Sequence, residues 1–346
     1  MQTFVFLSHH NTKMVTISDI AKSLGITPST VSRALSGSPR VKESTRKAVF
    51  EAAEKMGYER DEAASSLRRG RAKVVGIVVP RINREFFSNV IGGAESVLDE
   101  SGYSAIICQT HENSDDEVKA LKTLRSNRVA GVLISHAISS TDGKHIIDNI
   151  AQGTILVQFD RVFSSLPGPK IVSDNFHGAY EGTLHLIDQG YKKIGIIAGH
   201  MSSEAYAARL DGYKQALTDM GREIDEDIIF YGSIIQQGGY EACLKAIDLG
   251  CDAIYSTGDF TALGALQAAK EKGLRVPEDF GIVGTANEHF TSLITPSLSS
   301  MAQHPYEMGR RAAMAFLTSL KPGAKVGEIV VPMDLIARES SKRTSK

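Results

Sequence analysis

The sequence predicts a small all-α helix-turn-helix head followed by a larger α/β body of two doubly wound lobes. Three observations lead there. Two short runs at helical spacing flank a glycine-bearing turn between Thr16 and Leu35, the composition changes sharply at Val74, and β-branched runs then alternate with helix-length segments. A chain of 346 residues with 42% hydrophobic content has apolar material for two or three packed units.

The head opens after residues 1–13, which show no periodicity and are read as an unstructured leader. Thr16 followed three residues later by Asp19 has the form of a capping box, and Ile17, Ile20, Ala21 and Leu24 then recur at helical spacing. This predicts a first helix over 17–24. Gly25 can supply the positive φ that ends it, and Ile26 anchors the turn. Thr27 offers an N-cap hydroxyl and Pro28 suits the first helical position, so Ser29-Thr30-Val31-Ser32-Arg33-Ala34-Leu35 reads as a second helix. A third helix, about 43–57, places Val49, Ala52, Ala53 and Met56 on one face, with Lys42, Arg46 and Lys47 near its start to reach phosphates. Val31 and Leu35 are expected inside, and Pro28, Ser29, Ser32 and Arg33 outside, where a major groove would meet them. Arginine bonds guanine O6 and N7 in bidentate fashion, and short hydroxyls reach base edges or phosphates. Taken alone, Arg33 would be an ordinary surface charge; the pattern carries the reading.

Charge agrees with that division. Residues 14–73 hold 12 Lys or Arg against 7 Asp or Glu, a balance of +5, which leaves −7 on residues 74–346 once Lys13 is counted against the total of −1. A basic head on an acidic body points to a polyanion met by the head alone.

The segments Val15–Ala21 and Gly25–Leu35, extended through Val41 to Tyr58, resemble the headpiece of the lactose-repressor family of bacterial transcription regulators. The resemblance implies that Pro28, Ser29 and Arg33 lie on a recognition helix, with Thr16, Thr27, Thr30 and Ser32 completing the DNA face. It also implies that Asp61–Gly70 is a hinge helix. Two turns are too few to hold in water alone, so the segment is expected to fold when paired with its dimer mate on DNA. There Leu67 would wedge into the minor groove between Ala64 and Arg68 contacts. Without the family, Leu67 reads as a linker leucine packed on the core. Arg60 stands where many members have proline, which puts the ordering of the hinge in doubt.

The body begins with Val74–Val79. Further strand candidates are 104–108, 131–134, 155–159, 194–198, 253–255 and 281–283, separated by lengths that suit crossover helices. Continuous β-branched runs of this kind belong to buried parallel strands. The body resembles the periplasmic-binding-protein-like core of the same family through Pro80–Phe87, Phe159–Arg161, Val172–Asn175, Arg209–Tyr213, Gly258–Gly264 and Met308–Ala312. The implied organisation is a headpiece over 14–60, a hinge over 61–71, a core over 72–340 and a tail over 341–346. The core lobes would be roughly 73–172 with 304–331, and 173–303 with 332–340, joined by three crossings with an effector held between them.

Candidate cleft residues follow from chemistry and position. Asp160, Arg161, Arg209 and Asp259 can bond hydroxyls or a carboxylate; Asn83, Phe86, Phe163, Phe260 and Asn287 can add amide and apolar contacts. Asp259 reads equally as a cap for a helix beginning at Phe260, and Asp174 as a cap or hinge residue. Many sugar-responsive members have Asn-Asp where this chain has Gly258-Asp259, and Gly-Tyr-Asp-Asp where it has Gly284-Thr285-Ala286-Asn287. A sugar or sugar derivative remains the leading effector, with a nucleoside-like or acidic metabolite as the alternative.

The chain carries no GxGxxG after its first strand, no GxxxxGK[ST], no GxSxG and no HExxH. No catalysis, cofactor or metal is expected. Cys108, Cys243 and Cys251 lack CxxC spacing and read as free buried thiols. The longest apolar stretch near the start, Phe4–Leu7, suits neither a signal peptide nor a membrane span, so a cytoplasmic protein is expected. The resemblance implies a homodimer on a pseudo-palindromic double-stranded operator, and because Arg338–Lys346 shows no leucine heptads, no tetramer coil is expected. The rivals are a regulator that answers to a protein partner in place of an effector, a solute-binding transport protein, and an enzyme on the same scaffold.

Overall fold

The computed structural model describes residues 15–58 and 72–343. The chain divides into two compact units between residues 70 and 71. The leader, the hinge residues Ala64, Leu67 and Arg68, and residues 344–346 lie outside the described residues.

In the head, α1 (Ile17–Leu24), α2 (Pro28–Leu35) and α3 (Glu43–Lys55) form one bundle. Thr16 Oγ1 accepts from the Asp19 amide at 3.3 Å, and Asp19 Oδ2 accepts from the Thr16 amide at 2.9 Å, so the capping box closes both ways. Gly25 ends α1 at φ 65°, and the Ile26 amide returns to Ala21 O at 3.1 Å. Thr27 caps α2 through the Thr30 amide, with Pro28 in the first turn. Ile20, Val31, Ala34 and Val49 are wholly buried. Leu35 was expected beside Val31 but is only partly buried at the edge of the cluster; Ala34 takes the inner place. The third helix ends at Lys55, two residues before the expected end, because Gly57 at φ 65° turns the chain and the Tyr58 amide bonds back to Ala53 O.

The body contains two six-stranded sheets. The first runs, in spatial order, β2 (Ser104–Gln109), β1 (Val74–Val79), β3 (Gly131–Ile134), β4 (Ile155–Phe159), β5 (Lys170–Ser173) and β11 (Glu328–Val331), all parallel. The second runs β7 (Ile229–Tyr231), β6 (Ile194–Gly199), β8 (Ala253–Ser256), β9 (Gly281–Ala286), β10 (Ser299–Ala302) and β12 (Asp334–Ile336), with β12 alone antiparallel. The chain passes between sheets after β5, after β10 and after β11, giving three crossings. At one of them Gln303 Nε2 donates to Ser173 Oγ at 3.1 Å.

Helices cover both faces, as parallel sheets require. On the first sheet these are α4 (Glu85–Glu100), α5 (Ser114–Ser126), α6 (Lys144–Asn149) and α11 (Pro305–Ser319); on the second, α7 (Asn175–Asp188), α8 (Glu204–Asp219), α9 (Gln236–Asp248) and α10 (Asp259–Glu271). The pairing of α4 with α11 depends on glycine: a Cβ on Gly309 would stand 1.9 Å from Val90 O. That backbone contact brings Met308, Ala312 and Phe316 onto Val90, Ala94 and the strands below.

All seven predicted strands are present. β5, β7, β10, β11 and β12 were not anticipated, being three or four residues long and in part polar. Ser299 and Ser300 of β10 are fully buried, their polar groups bonded to Ser340, Arg338 and Asp259. The three cysteines are free. Cys108 is half-buried, not buried as expected, while burial pushes the Cys243 and Cys251 thiols up to about 12. Among the described residues no helix is long and apolar enough to cross a membrane.

Candidate functional site

Two sites can be built from the residues upward, one in each compact unit. On the head, α2 presents Pro28, Ser29 and Arg33 as exposed side chains, with Thr30 and Ser32 half-buried beside them. The periodicity dictates this, because Val31 and Ala34 are spent on the core. Thr27 Oγ1 lies 2.9 Å from both Ser29 Oγ and Thr30 Oγ1, so the N-terminal turn of α2 carries a hydroxyl cluster on its open end. Thr16 is exposed, and its hydroxyl is held by Asp19 at 2.6 Å. Arg46 departs from the expectation of a phosphate contact. Its guanidinium donates to Ser38 O at 3.1 Å and pairs with Glu43 at 3.0 Å, tying down the loop between α2 and α3. Lys42 and Lys47 are exposed.

The second site is an open cleft between the two sheets, at the C-terminal ends of β1, β4, β8 and β9, where open α/β sheets place their ligands. Phe86, Asp160, Arg161, Arg209, Asp259 and Phe260 all line it. Asp160 adopts φ 58° and is nearly buried, with Ser135 Oγ 3.3 Å from its carboxylate. Burial pushes its pKa up, against the pull of Arg161 and Arg209. Arg161 is fixed by Glu112 through contacts of 2.6 and 3.2 Å, a two-pronged pairing that holds the guanidinium plane in place. Arg209 donates to Asn175 Oδ1 at 2.8 Å and to Thr257 O at 2.7 Å, so the start of α7 and the end of β8 aim it into the cleft.

Asp259 is the first residue of α10, and Gly258 is the N-cap. Its carboxylate does not cap the helix; it accepts from the Glu288 amide at 2.8 Å and from Ser300 Oγ at 2.7 Å. Burial raises its pKa to about 7 in spite of those bonds. Asp174 does cap, accepting from the His177 amide at the start of α7.

Three expected cleft residues stand elsewhere. Asn83 is exposed in the turn before α4. Phe163 packs on the His136 ring at 4.3 Å and lines a smaller hollow with Ser140 and Ser203. Asn287 turns away at φ 56°, and its Oδ1 accepts from Arg338 at 2.7 Å. The position before it, Ala286, does line the cleft, at φ 120°. Sequence reasoning missed Arg81, Arg84, Glu112, Tyr206 and Glu288, which line the same wall. The two arginines lay in the run that yielded Asn83 and Phe86, and Tyr206 sits one helical turn before Arg209, a spacing that could have found it. Glu112 and Glu288 follow strand ends with no local signal.

The sequence was compared with known proteins. Residues 16–61 match the profile described as bacterial regulatory proteins, lacI family, and residues 183–341 match the periplasmic binding protein-like domain. The HTH-type transcriptional regulator DegA of Bacillus subtilis is 30% identical over 329 residues, covering 94% of this chain and 98% of DegA. The HTH-type transcriptional repressor PurR of Mannheimia succiniciproducens is 30% identical over 334 residues, 95% of this chain and 99% of PurR. Among solved structures, the transcriptional regulator CelR in complex with cellobiose superposes with a TM-score of 0.71 at 27% identity, covering 94% of this chain and 99% of CelR. With helix-turn-helix head, two-lobed core and full-length relatives in agreement, the chain belongs to the lacI family of bacterial regulatory proteins.

Proposed function

We propose that the chain is a sequence-specific DNA-binding transcriptional regulator, a repressor, whose operator affinity is set by a small molecule bound between the core lobes. The observation that carries this is the presence in one chain of an outward Pro28-Ser29-Arg33 face on a capped α2 and a polar, aromatic cleft at the strand ends. Thr16, Thr27, Thr30 and Ser32 position or extend the DNA face. Ala64, Leu67 and Arg68 act from the hinge, which lies outside the described residues. In the cleft, Arg209 and Asp160 bond the effector, Phe86 and Phe260 supply apolar walls, and a sugar or sugar derivative is the class proposed. CelR with cellobiose is a relative that binds one.

The working form is a homodimer, so that two heads meet two half-sites of a pseudo-palindrome. Reading the chain as a regulator and not an enzyme follows from family membership. A protein that reads the chromosome works in the bacterial cytoplasm, which is where we place it. Coupling between sites is reciprocal: operator must change effector affinity by the factor that effector changes operator affinity.

The test is selection of bound duplexes from a random pool at two salt concentrations. A pseudo-palindrome with a central pyrimidine-purine step, bound with steep salt dependence, is the expected result. Failure to enrich any motif, with and without a panel of metabolites, would overturn the reading.

A further inference from the structure

The cleft contains four guanidiniums, from Arg81, Arg84, Arg161 and Arg209. They share one carboxylate within ion-pair distance. Glu112 meets Arg161 at 2.6 Å and Arg81 at 3.6 Å, and among the described residues no carboxylate stands within 4.0 Å of Arg84 or Arg209. Arg209 is satisfied by neutral oxygens of Asn175 and Thr257. Arg84 instead lies 3.5 Å above the Phe260 ring, reaching across from the first lobe to the second. A ring face attracts a cation, but it does not replace the two parallel bonds that an oxyanion gives a guanidinium.

The other acids of the wall are already engaged. Asp259 accepts from Ser300 and the Glu288 amide, Asp160 from Ser135, and the Glu288 carboxylate faces the amides of Glu85 and Phe86. Burial raises the pKa of Asp160, Asp259 and Glu288 and lowers that of Arg84, which Arg81 lowers further while Glu288 and Glu112 act to raise it. Of the four acids in the cleft wall, Glu112, Asp160, Asp259 and Glu288, it is Glu112 that pairs with arginines within 4.0 Å. A neutral sugar would leave Arg84, which meets Glu288 and Glu112 only from beyond that distance, partly desolvated without a paired oxyanion, which is costly.

We infer that the effector of this cleft carries an oxyanion, a carboxylate or a phosphate on a polar skeleton, and that Arg84 is the cation that receives it while Phe260 forms the floor beneath. The inference rests on the effector reading above and narrows its class to charged sugar derivatives and similar acids. Arg84 is the specificity-determining residue in this account, because Arg161 is held by Glu112, while Arg209, with Nε and Nη1 bonded to Asn175 and Thr257, has only part of its fork left for the effector.

The experiment uses the full-length chain and its Arg84→Gln and Arg84→Lys variants, melted in inorganic phosphate, in acetate and in chloride at matched ionic strength. A ligand of the folded state raises Tm through a stabilisation that grows with its concentration L as RT ln(1 + L/Kd). The expected result is a rise of about 2 °C or more over chloride in wild type, at least halved in Arg84→Gln and retained in Arg84→Lys. Phosphate exceeding acetate marks a phosphate ester; the reverse marks a carboxylic acid. Phosphate held by the basic head persists in Arg84→Gln, so an equal rise in wild type and Arg84→Gln overturns the inference, as does no rise over chloride. Operator selection with wild type is read separately. A selected operator without an Arg84-dependent anion effect sinks the anion and leaves the regulator, whereas an Arg84-dependent rise without any operator supports the anion and sinks the regulator.

Discussion

Glu85 Oε2 accepts a 2.6 Å hydrogen bond from the backbone amide of His289, a residue 204 positions away on the opposite lobe. The Glu288 carboxylate in turn faces the start of α4, where the Glu85 and Phe86 amides lower its pKa against the lift of burial. Arg84, the N-cap of α4, makes no side-chain cap of its own, and neither does Glu288 for the 3-10 turn His289–Ser292. The first lobe thus satisfies an open amide at the second lobe's helical start. The closed cleft is held in part by bonds that opening would break.

Replacing Glu85 with alanine should therefore loosen the lobes. The expected cost is about 1 kcal/mol, the size of one hydrogen bond, read as a lower denaturation midpoint of the core. Small-angle scattering should show a larger radius of gyration. An unchanged midpoint and radius would mean that the lobes are held without this pair.

Asp259 makes stability depend on pH in an unusual direction. Its folded pKa of about 7 lies above the ordinary 3.8, so between pH 4 and 7 the folded state binds more protons than the unfolded chain. Stability from this group is complete below about pH 4 and falls as pH rises through 7, by at most about 4 kcal/mol at 1.36 kcal/mol per pKa unit. Asp259→Asn keeps an acceptor for the Glu288 amide and cannot ionise. Its denaturation free energy should match wild type below about pH 4, and exceed it by a margin that widens up to about pH 7 and persists at pH 8; parallel profiles would show that Asp259 does not titrate there.

Glu117 slopes the other way. It is fully buried in α5, where burial would raise its pKa, but His136, His145 and the Ala137 amide hold it down at about 2. His145 Nε2 is 2.6 Å away, the Ala137 amide 2.7 Å and Ser140 Oγ 3.1 Å, while His136 Nδ1 at 3.7 Å contributes charge without a hydrogen bond. The folded value lies below the ordinary 4.5, so the stability it gives is present above that pH and is lost as pH falls through 2. Glu117→Gln should lose about 2–3 kcal/mol at pH 7 and show a shallower acid limb in denaturation measured from pH 5 to 2. A variant whose profile runs parallel to wild type would refute the assignment. With Asp259 acting above pH 4 and Glu117 below it, the core should be most stable in mildly acid buffer.

What could be read in advance was whatever is decided locally. Thr16 and Asp19 are three residues apart, so their box is visible in the sequence, as are strands such as Val74–Val79 whose two faces are both buried. β10 escaped because its buried serines are admissible only with partners from Arg338 and Ser340, some forty residues on. In the cleft, Asp160 was legible from its place after β4, and Arg209 from the Arg209–Tyr213 run that resembles the family's. Arg84 and Glu288 were not, because their partners are supplied by the opposite lobe. Asn287 misled for a related reason: its amide carbonyl is taken by Arg338, which no nearby residue announces.

The sharpest test of the head sets Arg33 against Arg46. Arg33 is exposed on α2, one turn after the Pro28-Ser29 end, and is placed to meet a base edge. Arg46 is spent on Ser38 O and Glu43. Arg33→Ala should leave the melting of the head within about 0.5 kcal/mol of wild type, as surface substitutions do. It should flatten the preference at one base pair of each half-site, worth about 1–3 kcal/mol for a bidentate contact. Arg46→Ala should do the opposite, lowering the head's stability by about 1 kcal/mol through the lost loop bonds while leaving the ranking of bases intact. Competition binding against single-base variants of the selected operator, run beside thermal melts, separates the two. If Arg33→Ala weakens all sequences equally, Arg33 contacts phosphate and the base reader lies elsewhere on α2.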